Sequence, residues 1–227
     1  MNITFVTLFQ NLIEGYFQDS ILKRAREKKL FEIDFCNPRE FTTCKHNRVD
    51  DTAVGGGAGM VMSIQPLEDA LKSLGDDLHV IFATPVAKPF TQNDAKRLAY
   101  KKKIVFVSGR YEGIDERVVE KYADEVFSIG DYILTGGELP SLVMSDAILR
   151  NVDGVLGNSD SLEIESFESS LLEAPCFTKP QSFKENCVPK EYINGNHSKI
   201  RALKSSLSEC KTKYFRPKEL LKHKVGL

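Results

Sequence analysis

A chain of 227 residues, 41% hydrophobic and 28% charged, has apolar material for one large domain or two modest ones, burying roughly 70 to 75% of its unfolded surface. Its longest apolar runs, within ILTGG and KIVFVSG, fall far short of the roughly 20 residues of a membrane span, and MNITFVTLF lacks a basic n-region, so the sequence reads as cytoplasmic, without signal peptide or membrane partner. Five widely spaced cysteines, with no C-x-x-C and no histidine pair beside them, argue against a disulfide framework or structural zinc and for reduced thiols.

In chain order, NITFVTLF (2–9) is a buried strand pattern, LIEGYFQDSILKRAREKKL (12–30) has helical spacing, and FEIDFC (31–36) is a second strand. SIQPLEDALKSL, TQNDAKRLAYKK, GIDERVVEKYA and LPSLVMSDAILR then read as helices, alternating with strands HVIFATP, KIVFVSG and DEVFSIG. Strands separated by helix-length patterns predict an α/β fold with a mostly parallel sheet, whose ligands sit outside the carboxyl ends of the strands. Those ends are Ala83 to Pro85, Ser108 to Gly113 and the stretch SIGDYILTGG, so three loops are expected to share one pocket.

The net charge of −1 conceals an uneven distribution. Residues 1–156 carry −4, an acidic connector at 157–178 carries −5, and residues 179–227 hold twelve Lys and Arg against four Glu, a net +8. In this basic segment SKIRALKSSLSECKTKYF sets Ile200, Leu203, Leu207, Cys210 and Tyr214 on one helical face and Arg201, Lys204, Ser208 and Lys211 on another. The second face is either a solvated lysine-rich surface or a phosphate-binding one.

Three loops are unusual. VGGGAGMVM (54–62) fails the phosphate-loop pattern, because Met60 stands where the second glycine is required, and reads as a mobile closing loop or as a linker. GRYEGIDER (109–117) is either an ordinary strand-to-helix turn capped by Asp115 or a functional cluster of cation, phenol and carboxylate. SIGDYILTGGELP (128–140) surrounds Tyr132 to Leu134 with glycines, which a helix interior or a strand does not favour, so something else needs that backbone.

Together with KHNRVDD, GVLG, ESF, LLEAP and TKP, in this order, these motifs closely resemble the bacterial tRNA (guanine-N1) methyltransferases of the SPOUT class, the TrmD family, over essentially the whole chain. The resemblance implies a deep trefoil knot in the α/β domain (1–156), an interdomain linker (157–178) and a small helical tRNA-binding domain (179–227). It implies methyl transfer from S-adenosylmethionine to N1 of guanosine 37 in tRNA, by a homodimer with its site at the subunit interface. Pro85, Gly109, Tyr111, Glu112, Ser128, Ile129, Gly130, Asp131, Tyr132, Ile133, Leu134, Gly136 and Gly137 would hold the methyl donor. Asp50, Gly59, Arg110, Arg201, Lys204 and Lys211 would hold tRNA, and Glu112 would take part in binding Mg2+.

Neutral guanine carries a proton on N1, so methylation needs a base, and charge drifting to O6 needs a cation. By resemblance these are Glu165 and Arg150. The sequence departs from the family pattern at three points: Glu165 and Glu173 stand where the family has aspartates, and Cys176 where it has a histidine. Asp160 and Glu163 are the alternative proton acceptors in the connector.

Overall fold

β1 (Asn2–Val6) and β6 (Lys103–Val107) lie inside a five-stranded sheet, and their alternate residues enter different cores. Ile3, Phe5, Ile104 and Phe106 join one cluster, while Val6, Val105 and Val107 join the other. This is the pleat of a strand buried on both faces, and it explains why these strands read as nearly continuous apolar runs. With β2 (Glu32–Cys36), β5 (His79–Pro89) and β7 (Glu125–Ser128), the order is β2-β1-β6-β5-β7, and every pair is parallel. The predicted α/β class is thus the observed one.

The computed structural model describes residues 1–157, 165–168 and 171–225, the side chains of the last four excepted. It forms two compact units, Met1–Gly157 and Asn158–Leu227. In the first, α1 (Asn11–Glu14), α2 (Ser20–Glu27), α4 (Gln92–Leu98) and α6 (Glu138–Leu149) cover one face of the sheet, contributing Ile13, Leu22, Ala95 and Ile148. The other face is covered by α3 (Ile64–Ser73) and α5 (Glu116–Tyr122), through Leu67, Leu71 and Val118.

Three elements differ from the sequence expectation. The helix expected over 12–30 is broken into α1, a 3-10 turn at Gly15–Gln18 and α2, whose start is capped by the Asp19 carboxylate accepting from Ser20 N. The strand expected to end at Pro85 continues to Pro89, because Ile81–Ala83 and Lys88–Pro89 both pair with β7 while the intervening residues bulge out. The glycine-rich segment is the loop of a hairpin, β3 (Asp50–Thr52) with β4 (Met60–Met62), too short for a periodic signal.

The second unit holds a two-stranded hairpin, β8 (Ser182–Phe183) with β9 (Asn186–Cys187), then α7 (Lys190–Ile193), α8 (His197–Phe215) and α9 (Pro217–Val225). In α8, Ile200, Leu203 and Leu207 are partly buried, but Cys210 is exposed and Tyr214 is 80% exposed, so the apolar face is shorter than the spacing suggested. Thr212 is buried instead: its hydroxyl accepts from Leu172 N (2.9 Å), Ser208 donates to Leu172 O, and Lys211 donates to Glu173 O (3.1 Å). Ser208 and Lys211, expected on an outward basic face, therefore grip residues 172 and 173 of the acidic segment.

Candidate functional site

At the carboxyl ends of β5, β6 and β7 lies a cavity of about 560 Å³, within the range of small-molecule sites. Its walls are the bulge Thr84–Ala87, the loop Gly109–Ile114 and the stretch from Ser128 to Gly137, which are the three loops expected to converge. Pro85, Gly109, Tyr111, Glu112, Ser128, Ile129, Gly130, Tyr132, Ile133, Leu134, Gly136 and Gly137 all line it, as does Arg110. Asp131, expected with them, does not line the cavity and is exposed, because the chain reverses there between Gly130 and Tyr132.

The glycines have two distinct reasons. A Cβ on Gly137 would lie 2.7 Å from Gly109 N and 2.8 Å from Ser108 Cα, so only glycine lets the start of α6 pass so close to the end of β6. Gly137 N donates to Gly109 O (2.8 Å), and the Ser141 hydroxyl donates to Gly137 O (2.7 Å) beside Ser108 Oγ (3.1 Å). At Gly130 the reason is conformational: φ is +155°, and a Cβ would lie 2.4 Å from the Tyr132 ring, whose hydroxyl donates to Ile129 O (3.1 Å).

The hairpin β3–β4 is strapped to the β6 loop. Glu112 N donates to Met60 O (2.9 Å), Met62 N to Gly113 O (2.9 Å) and Asp115 N to Met62 O (3.1 Å). A Cβ on Gly59 would lie 2.4 Å from Glu112 Cγ, so the glycine loop rests on that carboxylate-bearing side chain. The segment is therefore no free linker, and Gly59 stands beside the cavity wall. Asp50 is opposite Met62 on the outer strand of the hairpin. The capping role weighed for Asp115 is real: its side chain accepts from Arg117 N (3.0 Å), and the Arg117 guanidinium hydrogen-bonded to it holds its carboxyl below the usual range.

Sequence reasoning missed Thr7, Phe9 and Glu138. Glu138, 3% exposed in the first turn of α6, accepts from the Thr7 hydroxyl (2.9 Å) and sets Oε2 2.8 Å from Arg110 Nε. Arg110 also stacks over Phe9, 4.4 Å from the ring centroid, and donates to Thr135 O (3.2 Å). The signal was present in GGEL, an acid at a helix start where the dipole favours it; that the loop after β1 meets it was not visible.

Arg150 caps the far end of α6, thirteen residues beyond Gly137, or about 20 Å along the axis, farther than a side chain spans. Glu165, partly buried in the second unit, has its carbonyl bonded by Glu168 N (3.3 Å), and Glu173 N is bonded to Ser166 Oγ (3.1 Å). Cys176 is exposed. Arg201 and Lys204 are exposed on α8, with Lys204 Nζ 6.0 Å from the Tyr192 ring. Asp160 and Glu163 lie outside the described residues.

For a metal, Glu112 and Glu116 are the carboxylates lining the cavity, and among the described residues no three acidic, histidine or cysteine side chains gather around one point. Mg2+ is usually bound through one or two carboxylates with several waters retained, and Glu112 and Glu116 are donors of that chemistry.

A parallel α/β sheet with a cavity walled by strand-end loops defines an α/β protein with a ligand site outside the carboxyl ends of its strands. The comparisons are more specific. The family described as tRNA (Guanine-1)-methyltransferase TrmD matches residues 1–223. The tRNA (guanine-N(1)-)-methyltransferase of Sulfurimonas denitrificans is 69% identical, covering 100% of both chains. That of a Sulfurovum species is 64% identical, over 99% of this chain and 100% of its own, and that of Campylobacter jejuni is 57% identical over 98% of each. The chain belongs to the TrmD family of tRNA (guanine-N1) methyltransferases.

Proposed function

We propose that this protein transfers the methyl group of S-adenosylmethionine to N1 of guanosine 37, on the 3′ side of the anticodon in tRNA. The observation that carries the reading is the cavity at the strand ends, walled by glycine-containing loops, in a chain matched to this family over residues 1–223. S-Adenosylmethionine is a substrate here, gripped by main-chain groups of 128–137 with Tyr132 to Leu134 as its apolar wall, in the part of the chain that the family threads as a knot. In the transfer, guanine N1 forms a bond to the methyl carbon, the methyl–sulfur bond breaks with its electron pair going to sulfur, which leaves as the neutral thioether S-adenosylhomocysteine, and the N1 proton passes to the Glu165 carboxylate. Arg150 offsets the charge that develops on O6. Glu112, with water completing the shell, would hold a Mg2+ that neutralises nearby RNA charge.

The active species is a homodimer. The distance from Arg150 to the cavity supports this, because one chain cannot bring them together. A surface supports it too: Leu139 and Val143 are exposed on the stripe of α6 that continues through Asp146 to Arg150, beside exposed Phe9, Leu12 and Tyr16. Tyr16 donates to Asp146 (3.1 Å), which joins the two sets. Such an apolar patch fits a second copy of this chain, which would carry Arg150 to the neighbouring cavity. Among the described residues no helix is long and apolar enough to cross a membrane, and a cytoplasmic location follows from the tRNA substrate.

The test is methylation of tRNA transcripts carrying guanosine or adenosine at position 37, with ribosomal RNA as competitor. The reading expects 1-methylguanosine at that position alone. Label elsewhere in the tRNA, or preferential labelling of the competitor, would overturn it.

A further inference from the structure

The family resemblance gives Arg110 a tRNA-binding role but gives Glu138 none, although Glu138 is the one buried charged residue among the described residues. A carboxylate is retained in an interior only where a cation and hydrogen-bond donors compensate its lost hydration. Here three segments supply that compensation: Thr7 after β1 donates a hydroxyl, Arg110 after β6 supplies the cation, and the start of α6 adds its dipole.

The consequence falls on Arg110. Its guanidinium is fixed on one edge by Glu138, on one Nη by Thr135 O and on its face by Phe9. Gly136 leaves the space it occupies, since a Cβ there would lie 2.5 Å from Nε. Nε and Glu138 Oε2 are 2.8 Å apart but out of line for a hydrogen bond, so charge and packing, rather than a linear bond, hold the pair. Arg110 lines the cavity, and among the described residues its Nη2 has no hydrogen-bond partner. That nitrogen carries two N–H donors, suited to a phosphate oxygen or a guanine acceptor edge.

We propose that Glu138 is a positioning residue: with Thr7 it sets the Arg110 guanidinium so that Nη2 can take an acceptor oxygen of the tRNA. This rests on the function proposed above. A structural staple would make the same contacts in the free protein, so the test must separate positioning from stability.

The measurement is kcat/KM for tRNA in full-length Glu138→Gln, Arg110→Gln and their double variant, with S-adenosylmethionine affinity by titration. Glutamine at 138 can still accept from Thr7 but sets an amide against the guanidinium. Positioning expects a loss of about 10- to 100-fold in kcat/KM for Glu138→Gln with donor affinity within about twofold, and no further loss in the double variant relative to Arg110→Gln. Thr7→Val should show a smaller loss that Thr7→Ser restores, and this pair carries the test if Glu138→Gln does not fold. Unchanged tRNA turnover in Glu138→Gln, or losses that multiply in the double variant, would overturn the inference alone. A wild-type protein that does not methylate tRNA would overturn the function and this inference with it.

Discussion

The two units present their functional groups in opposite ways. In the proposed reading the donor is held around the cavity by main chain, above fully buried Val107 and Phe127, and at Gly137 there is no room for a Cβ. In the second unit the functional groups are side chains: Arg201 and Lys204 stand exposed on α8, and among the described residues only Thr212 and Leu220 are buried. A main-chain donor site is more sensitive to bulk than to charge, whereas a phosphate-binding face of side chains is the reverse.

The largest effect should come from the second unit. Glu165→Gln keeps size and removes basicity, so single-turnover methyl transfer should fall by about 100- to 10,000-fold, as for loss of a general base, with donor affinity nearly intact. A near-normal rate, read by rapid quench, would move the base to Asp160 or Glu163. Next comes bulk in the first unit. Gly137→Val drives a side chain into the Ser108–Gly109 backbone, and an overpacked core costs about 1 to 3 kcal/mol. Calorimetry should find donor binding weakened by about 100-fold, as for a misplacement of about 1 Å.

A smaller effect separates the basic residues from one another. Removing Arg201 and Lys204 should flatten the slope of log tRNA affinity against log salt by about 0.7 to 0.9 per lost phosphate contact. Lys211→Ala should instead loosen the Glu173 segment, lowering the melting temperature with little change of slope, because its ammonium is bonded to a carbonyl. Filter binding across a salt series distinguishes them.

The smallest effect joins α3 to α5. Lys121, Tyr122 and Lys72 lower the Glu68 carboxyl to about 2 from its ordinary 4.5. The folded state thus binds fewer protons than the unfolded one between these values. Its contribution is complete above about 4.5 and is lost as pH falls through about 2. The small difference in melting temperature between wild type and Glu68→Gln at pH 6 should narrow as pH is lowered across that window, as expected of an exposed ion pair.

Much of this was legible in the sequence, for identifiable reasons. Strands such as KIVFVSG carry their burial in β-branched and aromatic runs, and loops at strand ends follow from the parallel order, so the three loops of the cavity wall could be named; the individual residues came from the family resemblance, and of these Asp131 does not line the cavity. The broken helix at 12–30 was not legible, because Gly15 and Asp19 interrupt a spacing that stays apolar. Nor was Lys211, whose partner is a backbone carbonyl that no side-chain pattern reports. Glu138 was missed because its partners, Thr7 and Arg110, are more than a hundred and nearly thirty residues away in sequence and meet only when β1 lies beside β6.

The central claim is that each site joins the cavity of one copy to Arg150 of another, and subunit mixing tests it most directly. Gly137→Val and Arg150→Ala proteins, each inactive alone, are unfolded, mixed and refolded together. A composite site leaves one intact site in every hybrid dimer, so tRNA methylation should return to roughly a quarter of the wild-type level at statistical mixing of a twofold pair. Hybrids that form, as differently tagged subunits captured together, but stay inactive would contradict the claim, as would full activity in a monomer that does not dimerise at micromolar concentration.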